Sequence, residues 1–278
     1  MLGKYYWLMF DHHVANSPYT AGELLPASQG HKVHRWLHVL PMGVDTDGLD
    51  PQKRSAAARL ELSARAGISP DQKLVTYIGR LAPEKNLPLL LDMLEALPKQ
   101  FHLIIAGDGE LRPWLVEQAE QRTPGRLHLL GHLQNRASLA EVHAGADVCV
   151  HPNHREPFGI APLEAMAAGV PLVAPVSGGV RSYADETNSW LAEDNGASYA
   201  SAVLSISPES TDTQERLRAA RETALAHSWP AVSARFFRLY DDIMTGVPFP
   251  VETALTPLVL PRRLQPKPSW QIDPSESA

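Results

Sequence analysis

Cysteine is nearly absent from this chain. Its one example, Cys149, has no partner for an internal disulfide, and such usage fits a reducing compartment. Long apolar runs are missing too, since none approaches the roughly 18–20 residues that a spanning helix needs. The N-terminus carries one cation and a very short apolar run, too little for a secretory leader, so a cytoplasmic protein is expected. There is no excess of positive charge. Against 31 Asp and Glu stand 25 Lys and Arg, for a formal net charge of −6, which excludes a nucleic-acid partner held by general phosphate neutralisation.

Several chemical signatures are absent as well. No G-x-S-x-G elbow marks a serine hydrolase, and no G-x-x-x-x-G-K-[ST] loop marks a P-loop nucleotidase. The 12 histidines form neither an H-E-x-x-H pair nor a Cys–His array, so no metal and no separate cofactor are expected. No internal repeat is found.

What is present is an ordinary globular composition, 44% hydrophobic and 20% charged, in a chain of 278 residues, enough for one large core with small appendages. Short apolar runs at 36–40, 74–78, 102–106, 127–130, 148–151 and 172–174 read as strands, with a less regular seventh at 189–192. Stretches of helical period lie between them, at 54–66, 87–97, 110–121, 138–144 and 160–168. That alternation implies βαβ units and a parallel sheet covered by helices on both faces. Further helices are expected at 198–205, 213–227 and 229–244. The last carries Trp229, Val232, Phe236, Leu239, Tyr240 and Ile243 on one face. Residues 247–278 are proline-rich and aperiodic, and read as a disordered tail.

Residues 5–25 hold an apolar aromatic run followed by a short helical stretch. They read as the end of an earlier unit leading into the main domain at 36–228. An ordinary extra strand and helix on the same sheet is the alternative. An exposed aromatic run of this kind also suggests association through residues 5–25.

The segment richest in chemistry is His151-Pro152-Asn153-His154-Arg155-Glu156-Pro157-Phe158-Gly159-Ile160-Ala161-Pro162-Leu163-Glu164. It follows a buried strand and opens a helix. Pro157 keeps Glu156 out of helical geometry, and Pro162 is tolerated only in a first turn, so the helix should start near Gly159. The backbone N–H groups of residues 159–161 then lack intrahelical partners and form an anion site that Gly159 lets a phosphate approach closely. Glu164 lies about one turn inside, suited to a ribose diol. The plainer alternative makes both glutamates solvated surface residues. The Pro and Gly framing at a strand's carboxyl end favours a site.

A second element, Gly79-Arg80-Leu81-Ala82-Pro83-Glu84-Lys85-Asn86, follows the strand at 74–78 and offers two cations for a diphosphate. Surface ion pairs would explain it as well. Gly43, the Ser177-Gly178-Gly179 loop and Gly131-His132 also follow candidate strands, where backbone can approach a ligand or merely turn. Asp108 in Gly107-Asp108-Gly109 reads as a cap for the next helix.

Taken together, these residues resemble glycosyltransferase family 4, retaining enzymes of GT-B fold that use nucleotide-sugar donors. The resemblance covers about residues 13–240. It rests on the Pro41-Met42-Gly43-Val44-Asp45 entry, Gly79-Arg80 followed by Lys85, the Gly107-Asp108-Gly109 turn, and an E-x7-E pattern from Glu156 to Glu164 around Pro157-Phe158-Gly159-Ile160. It implies an α/β, Rossmann-like C-terminal half of a GT-B fold, with most of the N-terminal domain absent. Residues 1–35 would be a remnant of the acceptor domain, 36–228 the nucleotide-sugar-binding domain, and 229–246 a crossing helix. By the same resemblance Glu156, Arg80 and Lys85 are the catalytic candidates. The donor-binding candidates are Gly43, Gly79, Gly131, His132, Phe158, Gly159, Ile160 and Glu164. The implied reaction moves a hexose from a UDP- or GDP-sugar to a glycan, lipid or small acceptor, a lipid acceptor bringing the protein to a membrane surface. The alternative is a non-catalytic nucleotide-sugar-binding module that needs a separate N-terminal half.

Overall fold

The computed structural model describes residues 10–24 and 37–245. Most of the N-terminal aromatic run, the first residue of the 36–40 strand and the 247–278 tail lie outside the described residues.

Six parallel strands form the central sheet: β3 (Lys73–Ile78), β4 (Phe101–Ala106), β5 (Leu127–Gly131), β6 (Val148–Val150), β7 (Leu172–Pro175) and β8 (Trp190–Ala192). Each is an apolar run of the kind that a two-faced burial selects, and alternate residues go to opposite layers. On β3, Val75 and Tyr77 pack on one face against Leu90 and Leu94 of α3 (Leu87–Ala96), Leu115 of α4 (Arg112–Arg122) and Tyr199 of α7 (Gly196–Ser205). Leu74 faces the other way, onto Leu62 of α2 (Ala56–Ala66) and Val142 of α5 (Arg136–Gly145). On that same side Cys149 and Leu172 meet α6 (Ile160–Ala167) and α8 (Thr211–Ala226) through Leu163, Met166, Ala220 and Ala224. Helix starts are fixed locally: Ser55, Asn135, Asn195 and Ser210 each accept a backbone N–H of the first turn.

The strand order is β5-β4-β3-β6-β7-β8. The chain winds outward from β3 to β5, returns to lay β6 beside β3, and winds outward the other way. Between β3 and β6 the following connections diverge, leaving a crevice at the strands' carboxyl ends, where open α/β sheets take ligands.

Two expectations are corrected. The strand read at 36–40 is β2 (Leu37–Val39), and it does not join the main sheet; it pairs in parallel with β1 (His13–Ala15) in a separate two-stranded sheet. Its three residues are only half-buried, and its ladder is made with the short β1 instead of a central strand. The helix after β1, α1 (Pro18–Leu24), packs on the turn Gly179–Ser182. In α9 (Trp229–Thr245), Val232 and Leu239 are buried as expected, but Tyr240 is 58% exposed. One residue past Leu239 the helix has turned by about 100°, which carries Tyr240 off the inward face.

Candidate functional site

Glu156 stands in the loop between β6 and α6, at the crevice between β3 and β6. Two donors bond to its Oε2, Lys85 Nζ at 2.7 Å and Asn153 Nδ2 at 2.9 Å, and His151 Nε2 stands 3.5 Å from the same oxygen. Burial alone would raise the Glu156 pKa, but the neighbouring His151 ring and the hydrogen bond and charge of Lys85 outweigh it, and the carboxyl is held at about 2. It is an ionised group throughout the working range. Lys85 ends the turn Pro83–Lys85, and Asn86 after it adopts a left-handed conformation (φ 52°), unusual for a non-glycine residue. Asn86 is held there by donating to Asp194 Oδ1 at 2.8 Å and to the Pro152 carbonyl at 3.3 Å. Asp194 also faces His154 Nδ1 at 3.2 Å. The loops after β3, β6 and β8 are thereby tied together around Lys85 and Glu156.

The helix entry is built with equal constraint. Gly159 is the residue before α6, with φ 85°, and a Cβ there would lie 3.0 Å from Val180 Cγ2 and 3.2 Å from Glu156 Cγ. The Tyr183 hydroxyl donates to the Gly159 carbonyl. Gly179 N–H donates to the Glu156 carbonyl at 2.6 Å. From the other side the Ser17 hydroxyl donates to the Pro157 carbonyl, and the Thr20 hydroxyl does so at 3.1 Å. The amides of residues 159–161 are left at the open start of α6, and Pro162 has none to offer. Phe158 is buried against Tyr183 and His227, so its side chain anchors the loop from within and only its backbone can serve a ligand.

Gly79, Gly107 and Gly131 form a ledge at the carboxyl ends of β3, β4 and β5. Gly79 N–H donates to the Ala106 carbonyl at 3.0 Å and Gly107 N–H to the Gly131 carbonyl at 2.8 Å. Gly131 (φ 72°) turns the chain to the exposed His132. Glu164, half-buried on α6, feels Asp45 and Arg136, which pair with each other at 3.2 Å. Burial lifts its pKa to about 7; Arg136 opposes the rise and Asp45 adds to it.

Not every candidate meets Glu156. Arg80 is exposed and its guanidinium pairs with Glu84. Gly43 packs under α9, where a Cβ would sit 2.5 Å from the Trp229 ring, so packing accounts for that glycine. Asp108 does not cap α4: it accepts from Gly109 N–H at 2.8 Å, and Leu111 at the cap position offers no side-chain oxygen. A hollow of about 380 Å³, lined by Arg54, Arg59 and Asp147, opens at the amino end of the sheet. Its arginines are committed to the carbonyls of His143, Gly145 and Ala146 at the end of α5. Among the described residues no group of three or more His, Cys, Asp and Glu gathers to hold a metal, and no helix is long and apolar enough to cross a membrane.

Sequence reasoning missed His151, Asn153, Asn86 and Asp194 as parts of this cluster. The first two had a signal, being polar residues directly beyond a buried strand. Asp194 had none, because its place beside Asn86 depends on the return of β8 to the sheet edge.

A family model described as "Glycosyl transferases group 1" matches residues 58–223, a span holding Lys85, Glu156 and Glu164. A D-inositol 3-phosphate glycosyltransferase of Xylanimonas cellulosilytica is 32% identical over 211 residues, covering 73% of this chain and 51% of that protein. A GDP-mannose-dependent alpha-mannosyltransferase of Mycolicibacterium smegmatis is 32% identical over 226 residues, covering 81% and 56%. The chain thus spans about half the length of the curated relatives it matches. Among solved structures, HepE of Anabaena in complex with UDP and glucose superposes with a TM-score of 0.73 at 21% identity, over 84% of this chain and 63% of that one. That likeness is one of fold: an α/β, Rossmann-like half of the GT-B architecture.

Proposed function

Because this chain belongs to the group 1 glycosyl transferases, we propose that it carries the donor site of a retaining hexosyltransferase of glycosyltransferase family 4. The donor in this reading is a UDP- or GDP-sugar, and the acceptor a glycan, lipid or small molecule. The observation that carries it is the pairing of Lys85 with Glu156 beside the open start of α6, at the point where the sheet reverses its winding. The names of relatives support the donor class, one being GDP-mannose-dependent and one neighbour holding UDP and glucose.

Lys85 spends one of its three donors on Glu156 and turns the others to the diphosphate. The amides of residues 159–161 take a phosphate oxygen, with no Cβ at Gly159 to obstruct it. Arg80 leaves Glu84 to join them. Glu156, permanently ionised, accepts a hydroxyl of the donor sugar and fixes its pose. Glu164 accepts the ribose hydroxyls, and these donors stabilise its charged form. The acceptor oxygen bonds to the anomeric carbon on the face from which the diphosphate leaves. As the bond from carbon to phosphate oxygen breaks, that oxygen takes the acceptor's proton. Charge on the leaving group is stabilised by fixed donors, each worth roughly 10²–10³-fold in rate. The reading places the protein in the cytoplasm, reaching a membrane surface where the acceptor is a lipid.

A second reading, a nucleotide-sugar-binding module without its own turnover, rests on the chain's spanning about half the length of the curated relatives it matches. Calorimetry with nucleoside diphosphates and nucleotide sugars, followed by transfer assays with and without a supplied N-terminal half, separates the two. Donor binding with transfer supports the first; donor binding with no transfer in either assay supports the second. Folded protein that binds no nucleoside diphosphate would overturn both.

A further inference from the structure

The three groups around Glu156 Oε2 are unequal. Lys85 and Asn153 have other work: the cation faces the crevice, and the Asn153 Oδ1 accepts Arg155 N–H at 3.0 Å to shape the loop. His151 does not. Its ring is buried, with a side chain only 7% exposed; among the described residues its Nε2 makes no hydrogen bond, and it lies 3.5 Å from Glu156 Oε2. Its backbone is pinned from both sides, the N–H donating to the Val173 carbonyl at 2.9 Å and the carbonyl accepting the Tyr199 hydroxyl at 2.8 Å. Both hydrogen bonds and the nearby His151 nitrogen fall on the Oε2 side, and Glu156 Oε1 has no hydrogen bond among the described residues.

We propose that His151, as its Nε2–H tautomer, is a positioning residue that anchors Glu156 Oε2 so that Oε1 alone is presented to the donor sugar. The inference rests on the donor-site reading given above. A bare Nε2 lone pair would repel the carboxylate and bury two acceptors face to face, whereas an N–H there gives the orphaned ring nitrogen its partner. The anchor also explains why a residue with two ring nitrogens stands directly after a strand whose residues, Val148, Cys149 and Val150, are apolar or thiol. When a diphosphate draws Lys85 toward the crevice, His151 and Asn153 keep the carboxylate in place. Phosphate capture and sugar orientation can then proceed together.

The test compares His151→Leu with His151→Gln, measuring affinity for UDP and GDP and for the matching UDP- and GDP-sugars. The expected result is a Leu variant that binds the nucleoside diphosphates like the wild type, yet loses on the order of tenfold of the additional affinity due to the sugar, as for one hydrogen bond to a charged group. The Gln variant, which retains an N–H, restores most of it. A merely structural role would weaken all ligands alike and would not distinguish Gln from Leu. A second measurement needs no variant to fold: ring ¹⁵N shifts in the labelled wild-type protein should report the Nε2–H tautomer for His151. The Nδ1–H tautomer, or a sugar increment unchanged in the Leu variant, overturns the inference and leaves the donor site standing. Wild-type protein that binds no nucleotide overturns the donor-site reading, and this inference with it.

Discussion

At the scale of single residues, the site is a contest between burial and local donors, and its two glutamates end on opposite sides. Glu156 is held at about 2 by donors that outweigh its burial, while Glu164, with an ion pair nearby but no bonded partner among the described residues, rises to about 7. The consequences have opposite signs. A depressed carboxylate adds stability above its unfolded pKa, and that contribution is lost as pH falls from about 4.5 toward 2. Lys85→Ala should cost about 3 kcal/mol at pH 7, as for removing one partner of a buried pair, and less at pH 3, by urea unfolding at both. The same variant, and Arg80→Ala, should weaken nucleoside diphosphates far more than free sugar in calorimetry; equal losses would contradict the phosphate assignment.

A raised carboxylate does the reverse. Between about pH 4.5 and 7 the unfolded chain releases the Glu164 proton while the folded chain keeps it, so folding weakens as pH rises. Glu164→Gln should therefore raise the thermal midpoint at pH 8 by a few degrees and leave it nearly unchanged at pH 4. In the same variant nucleotide binding should fall about tenfold, the stabilised site being the poorer one. A midpoint that does not move at pH 8 would show that Glu164 is solvated.

At the scale of elements, the glycines sort into two kinds. Gly107 has φ 152°, and a Cβ there would come 1.8 Å from the Gly79 carbonyl oxygen, so the β3 and β4 loops can touch only through a bare backbone. Gly125 has φ 70° and nothing within 4 Å of the same atom. Gly125→Ala should cost about 1 kcal/mol, the conformational penalty alone. Gly107→Ala should cost several times more and disturb the ledge beneath Gly79, which chemical denaturation of the pair will compare. Tyr183→Phe addresses the helix entry: removing the hydroxyl that binds the Gly159 carbonyl should cost about 1–3 kcal/mol by leaving that carbonyl unpaired in a buried loop.

At the scale of the whole molecule, the fold gathers the carboxyl ends of β3 and β6 at one place on a chain of formal net charge −6, so the local cations of the β3 loop matter more than overall charge. A nucleoside diphosphate at about 100 times its Kd should stabilise the fold by about 2.7 kcal/mol, read as a rise in thermal midpoint. Chelation should leave that rise intact, since the described residues gather no ligand set for a metal. A rise abolished by EDTA would mean that a cation bridges the phosphates.

Much of this was legible in the sequence because it depends on neighbours in the chain. Pro157, Gly159 and Pro162 dictate where α6 begins, and apolar runs between amphipathic stretches dictate a parallel two-faced sheet. The position of Glu156 in a loop and of Glu164 one turn into the helix follow from the same local rules. Tertiary structure alone decided what meets what. Residues 71 apart in sequence, Lys85 and Glu156 touch because β6 returns beside β3. Arg80, five residues from Lys85, turns outward to Glu84 instead. The strand at 37–39 leaves the main sheet for β1, and His151 comes within 3.5 Å of Glu156 through a strand end and a loop that no periodicity describes. Backbone preference and burial pattern are properties of a segment, but a hydrogen bond across the sheet exists only once the whole set of crossovers has been made.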